Sequence, residues 1–93
     1  MTVEFLRKAR IEWLEAIEYY NQERAALGFE FALEVDRTVS RIVQFPEAWA
    51  RVGPRTRRAL LDRFPYGLLY TLKPDRIVIT AVMNLRRKPE TLQ

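Results

Sequence analysis

The hydrophobic period of this 93-residue chain changes once, at the short stretch between Pro54 and Arg57. Before that stretch apolar residues return at helical spacing. After it they return every second residue, as strands require. From Lys8 to about Ala26, the residues Ala9, Trp13, Ala16, Ile17 and Tyr20 form one buried helical stripe. Glu12, Glu15, Glu18 and Glu23 occupy the other side and read as a solvated face. Gly28 stands where a helix-terminating residue is expected, because glycine takes the left-handed conformation cheaply. A second helix is predicted from about Phe29 to Gln44, with Ala32, Val35, Val39, Ile42 and Val43 inward. Phe29 and Leu33 open a second apolar edge on it. Phe45-Pro46 ends it, since the residue before proline avoids the α region. Two helices joined at one glycine make an antiparallel hairpin.

Val3-Glu4-Phe5-Leu6 ahead of the hairpin is a short strand, and Pro46 to Pro54 is a loop whose Trp49 lids the core. Arg57 to Phe64 reads as a strand of ambiguous facing. Tyr66, Leu68, Tyr70 and Leu72 share one face of the next strand. Lys73-Pro74-Asp75-Arg76 is a tight turn, with proline pre-setting φ. In the last strand Ile77, Ile79, Ala81 and Met83 line one side and Val78, Thr80 and Val82 the other. A strand apolar on both sides belongs in the middle of its sheet. The order β-α-α-β-β-β, with helices grouped before most strands, predicts an α+β fold: a helical hairpin on one face of a twisted antiparallel sheet.

The length fits a single domain, residues 1–93. Cysteine and histidine are both absent, which excludes disulfides, thiolate metal sites and imidazole chemistry. No metal or cofactor is expected. No apolar run approaches the ~20 residues of a bilayer helix, and the N-terminus has no signal-peptide pattern. The chain is therefore read as cytoplasmic, with no membrane partner.

Charge is unevenly distributed. Met1 to Ala48 carries six Lys/Arg against nine Asp/Glu, whereas Trp49 to Gln93 carries ten against three. A basic half attracts phosphates or an acidic protein, the alternative being a solvated surface whose cations cluster. Arg55, Arg57 and Arg58 precede or enter one strand, and Arg86, Arg87 and Lys88 follow the last. If those strands are neighbours, both groups meet at one end of the sheet. Clustered arginines bind phosphate or carboxylate bidentately; equally, edge cations discourage strand-to-strand aggregation.

Catalytic candidates are few. Without histidine, acid–base work falls to Asp, Glu, Lys and Tyr. Tyr66 and Tyr70 share a strand face, where aromatic residues usually serve the core. Ser40, the only serine, lies within a helix, and Gly28, Gly53 and Gly67 are scattered singly. The residues alone show no active site.

Phe5-Leu6-Arg7-Lys8-Ala9, Ile17-Glu18-Tyr19-Tyr20, Phe45-Pro46, Arg58, Phe64-Pro65-Tyr66, Tyr70 and Arg86-Arg87-Lys88-Pro89 occur in an order that resembles the ParE/RelE superfamily of toxins from type II toxin–antitoxin pairs. The resemblance spans essentially the whole chain and implies the same hairpin-on-sheet fold. RelE-like members are metal-independent, ribosome-dependent mRNA endoribonucleases that use basic and tyrosyl side chains on the sheet. ParE-like members inhibit DNA gyrase without known hydrolytic residues. This chain has Gly67 where the ribonuclease branch often has arginine, Glu90-Thr91-Leu92 where that branch often ends in a catalytic tyrosine, and Asn84 where many relatives have histidine. These departures, with the long hairpin bearing Tyr19-Tyr20, turn the resemblance toward ParE. On it, no residue is catalytic, and Arg58, Arg86, Arg87 and Lys88 meet the target. A ribonuclease would have to use Arg58, Tyr66 and Arg87, with Arg86 in support. A relative that only binds its partner, without toxicity, is the third alternative. The family also implies a cognate antitoxin in a hetero-oligomer, wrapping the toxin with an amphipathic helix. Phe29 and Leu33 are candidates to receive it, unless they pack internally.

Overall fold

A computed structural model describes residues 1–86. The elements run β1 (Thr2–Phe5), α1 (Arg7–Glu23), α2 (Leu27–Gln44), β2 (Arg57–Leu60), β3 (Tyr66–Leu72) and β4 (Arg76–Asn84). The sheet order is β1-β4-β3-β2, which puts β4 and β3 in the centre. β2, β3 and β4 are antiparallel, as the alternation predicted. β1 instead joins β4 in parallel, Val3 beside Ile77 and Phe5 beside Ile79, so the four-stranded sheet is mixed. Periodicity specifies which face of a strand is buried and is silent on strand direction; here the α1–α2–β2–β3 excursion returns β4 alongside β1.

Both helices lie on one face of the sheet, α1 over β4 and α2 over β2. Between the layers Ala9 and Ala16 of α1 and Phe31, Val35 and Ile42 of α2 meet Ala59, Leu68, Tyr70, Ile77, Ile79 and Val82. Small residues on α1 let its backbone approach the sheet, while Trp13, Ile17 and Tyr20 of the same helix pack, half-buried, against the core. The buried stripe of α2 is rotated from the predicted one. It runs Phe31, Val35, Thr38, Ile42, while Val39 is half-buried and Val43 exposed. Thr38 is tolerated inside because its hydroxyl donates to the Glu34 carbonyl (2.8 Å).

Two more expectations are corrected. Gly28 does not terminate α1: it is buried within the first turn of α2, and the left-handed residue at the joint is Ala26, with φ 69°. A Cβ on Gly28 would run into the Ile17 carbonyl oxygen and lie 2.6 Å from Asn21 side-chain atoms. Glycine is there for close helix–helix approach. Its N–H, unpaired within the helix, donates to Asn21 Oδ1 (2.8 Å). In β4 the strict alternation fails at a bulge opposite Leu69/Tyr70, where Leu69 pairs with Ala81 but Tyr70 with Ile79. Thr80 is the extra residue. Side chains beyond it change face, so Val82 joins the core and Met83 is exposed.

The strand predicted over Arg57–Phe64 ends early, at Leu60. The chain then corners through Leu61–Pro65, and Glu34 is the reason the corner holds. Its buried carboxylate accepts the backbone N–H groups of Asp62 and Arg63, a role no local pattern announces.

Candidate partner-binding surfaces

The sheet face away from the helices begins at β2. Arg58 pairs with Leu69 and lays its aliphatic stem over Gly67; a Cβ at Gly67 would stand 3.1 Å from Arg58 Cγ. Glycine at the middle strand thus makes room for an arginine from the edge strand. Leu60 and Met83, both exposed, flank this position across the same register. Tyr66 precedes Gly67 and so points the other way. It is buried in an aromatic cluster with Tyr20 (centroids 6.0 Å apart) and Phe31 (5.0 Å). Arg58 and Tyr66 therefore lie on opposite faces, and the structure does not bring them together. Arg87 and Lys88 lie outside the described residues, as do Glu90, Thr91 and Leu92.

Arg86 is exposed in the turn after β4. Its N–H donates to Asn84 Oδ1 (3.0 Å), and the preceding Leu85 N–H donates to the Pro65 carbonyl (2.8 Å), pinning the turn to the β2–β3 corner. Arg86 neighbours Tyr20, whose phenol is raised above its ordinary pKa by burial and by the nearby Tyr66 and Tyr19 hydroxyls, with the Arg86 charge offsetting part of the rise. The Arg86 end is thus a cation beside phenols on the rim of the aromatic cluster.

The two arginine groups do not meet. β3 separates β2 from β4, and the register places Arg57 level with Ile79, seven residues before Arg86. Arg57 and Arg58 also have different tasks. The Arg57 guanidinium donates from Nη1 to the carbonyls of Glu47 (3.1 Å) and Trp49 (2.7 Å), tying the α2–β2 loop to the sheet and holding Trp49 against the core. Arg55 belongs with a different set. It lines an open groove with Arg51, Arg57, Thr71, Lys73 and Glu47, where the loop meets the β3 end.

On the hairpin, Phe29 and Leu33 are not packed internally. Phe29 is 63% exposed and Leu33 38%, one turn apart on the outer side of α2. Exposed Ile11 and Leu14 on α1 add apolar surface to the hairpin. Glu12 departs from the solvated row assigned to it. Where β1 has ended, the open edge of β4 presents the Val82 N–H, and Glu12 Oε1 accepts it (2.9 Å). Its other oxygen receives Lys8 Nζ (2.9 Å). No helix is long and apolar enough to cross a membrane among the described residues, and those residues contain no acidic cluster suited to a metal ion.

No protein-family model matches the chain, and no curated protein matches it either. Among solved structures, one match is a chain of the structure described as the chromosomal ParDE TA system from P. aeruginosa, with a TM-score of 0.81 and 18% sequence identity. The match covers 92% of this chain and 97% of that one. The α+β arrangement of a helical hairpin on a four-stranded sheet is therefore the fold of a chain from a ParDE toxin–antitoxin system.

Proposed function

We propose that this chain is a ParE-like toxin of a type II toxin–antitoxin system, a non-hydrolytic inhibitor of DNA gyrase in the cytoplasm that a cognate antitoxin neutralises. The observation that carries the reading is the fold match over nearly the full length of both chains to a ParDE component. It agrees with the order of motifs from Phe5 to Pro89. The facing of Arg58 and Tyr66 supports the gyrase branch over the ribonuclease branch. A metal-free RNA-cleaving site needs its cationic and hydroxyl groups within reach of one phosphate, and these two side chains leave β2 and β3 on opposite faces. Arg58, Arg86, Arg87 and Lys88 are the target-binding cations in this reading, with Phe29 and Leu33 receiving the antitoxin helix.

Purified, antitoxin-free protein is assayed for inhibition of gyrase supercoiling with detection of cleavage complexes, beside ribosome-dependent mRNA cleavage. Gyrase inhibition without RNA cuts is the expected result. RNA cleavage would replace the reading with the RelE-like one, and antitoxin binding with neither activity would make the chain a binding-only relative. The double variant Arg86→Glu/Arg87→Glu is expected to lose growth inhibition while keeping its circular dichroism and melting temperature. A folded double variant of full toxicity would remove the basic turn from the target interface.

A further inference from the structure

The groove where the α2–β2 loop meets the end of β3 has no part in the reading above. Its lining brings Arg51 and Arg55 from the loop, Arg57 from β2, Thr71 from the end of β3 and Lys73 just past it. Glu47 is the single acid there. Among the described residues, none of these four cations enters an ion pair, whereas Arg24, Arg41, Arg63 and Arg76 all do. Arg57 spends one nitrogen on two carbonyls, which neutralise none of its charge. Four cations facing one acid in a concavity repel one another unless an anion joins them.

We propose that this groove binds the phosphate backbone of double-stranded DNA. Arginine, lysine and threonine side chains are the usual backbone ligands. A protein partner of comparable affinity would want a large aromatic anchor at the centre of the contact, and the lining has no aromatic residue, its apolar members being Pro54 and Leu72. Single-stranded nucleic acid binds through base stacking on aromatic side chains, which the same lining cannot provide. Contact with duplex phosphates needs only convergent cations, and it is blind to sequence. The groove lies at the end of the sheet away from Arg86, so one molecule can hold DNA at one end and present the basic turn at the other.

The test is fluorescence anisotropy of a labelled, random-sequence short duplex titrated with the full chain over a range of salt. Arg51→Ala/Arg55→Ala/Lys73→Ala removes three cations and spares Arg57, whose bonds hold the loop. It is expected to weaken binding on the order of tenfold or more and to flatten the slope of log K against log[salt] by about 3. Arg7→Ala/Arg10→Ala/Arg37→Ala removes the same charge from exposed helix positions and is expected to leave the slope near that of the unaltered chain. Equal losses in both variants would overturn the proposal, since binding would then follow net charge alone. An unchanged slope in the groove variant, with circular dichroism showing it folded, would also overturn it. So would loss of antitoxin binding with DNA binding intact, which would make the groove a protein site. The anisotropy measurements need neither gyrase nor antitoxin, so they stand or fall apart from the toxin reading.

Discussion

Ala26 and Gly28, two residues apart, show how one hairpin joint places opposite demands on side chains. Ala26 holds a left-handed backbone, φ 69°, where a Cβ crowds the following carbonyl. Gly28 has ordinary helical geometry but no room for a Cβ against Ile17 and Asn21. Ala26→Gly is therefore expected to be neutral to stabilising by up to about 1 kcal/mol, relief of strain offsetting the entropy glycine adds to the unfolded chain. Gly28→Ala is expected to cost roughly 1–3 kcal/mol, because the neighbour is backbone and the helices must move apart. Urea melts of the two variants check both signs, and a destabilised Ala26→Gly with an unaffected Gly28→Ala would reverse this account. Glu12 carries a second lesson. Glu12→Ala leaves the Val82 N–H at the open β4 edge without its carboxylate, a loss of about 1–3 kcal/mol. Glu15→Ala, on the exposed side of the same helix, is expected to stay within about 0.5 kcal/mol. Nothing in the spacing of Glu12, Glu15 and Glu18 separates them; β1 ending at Phe5 does, by leaving β4 unpaired above Glu12.

Helix α2 is the element whose two sides do different work. Its inner stripe from Phe31 to Ile42 fills the layer against β2 and β3, and Glu34 reaches down to hold the Leu61–Pro65 corner. Its outer side carries Phe29 and Leu33 into solvent. An apolar pair one turn apart on an exposed helix face is the i, i+4 anchor pattern of a partner helix. Phe29→Asp/Leu33→Asp is expected to weaken antitoxin binding at least tenfold by isothermal titration, with an unchanged melting temperature, since neither side chain supports the core. Undiminished antitoxin affinity would move that contact elsewhere. The existence of α1 and α2 and the end of α2 at Gln44 were legible from a 3.6-residue period and Pro46, but the joint, which falls at Arg24–Ala26 rather than at Gly28, and the facing of α2 were not. Phe29, Phe31 and Leu33 are all apolar at its start, and only the direction in which Gly28 packs on α1 selects Phe31 as the buried one.

At the scale of the whole molecule, burial of tyrosine couples stability to alkaline pH. Tyr70 is fully buried, its hydroxyl donates to the Pro46 carbonyl, and burial raises its pKa while the Arg57 charge offsets part of the rise. The folded phenol keeps its proton where the unfolded one, near pH 10, has begun to lose it. Its contribution is thus intact below the unfolded pKa and declines as pH rises from there through the folded value. Denaturant melts from about pH 9 upward should show stability falling with pH, and Tyr70→Phe should flatten that fall while losing about 1 kcal/mol at neutral pH from the missing hydrogen bond. An equally steep fall in Tyr70→Phe would assign it to other groups. The switch of hydrophobic period near Arg57 was enough for the element order and for a sheet covered by helices on one side, because periodicity is local and each element must bury its apolar face. The parallel pairing of β1 with β4, the bulge at Thr80, the separation of Arg55 and Arg57 from Arg86, and the gathering of Arg51 with Lys73 are contacts between distant segments. Such contacts depend on strand direction, register and the course of the connections, which side-chain patterning along one segment leaves open.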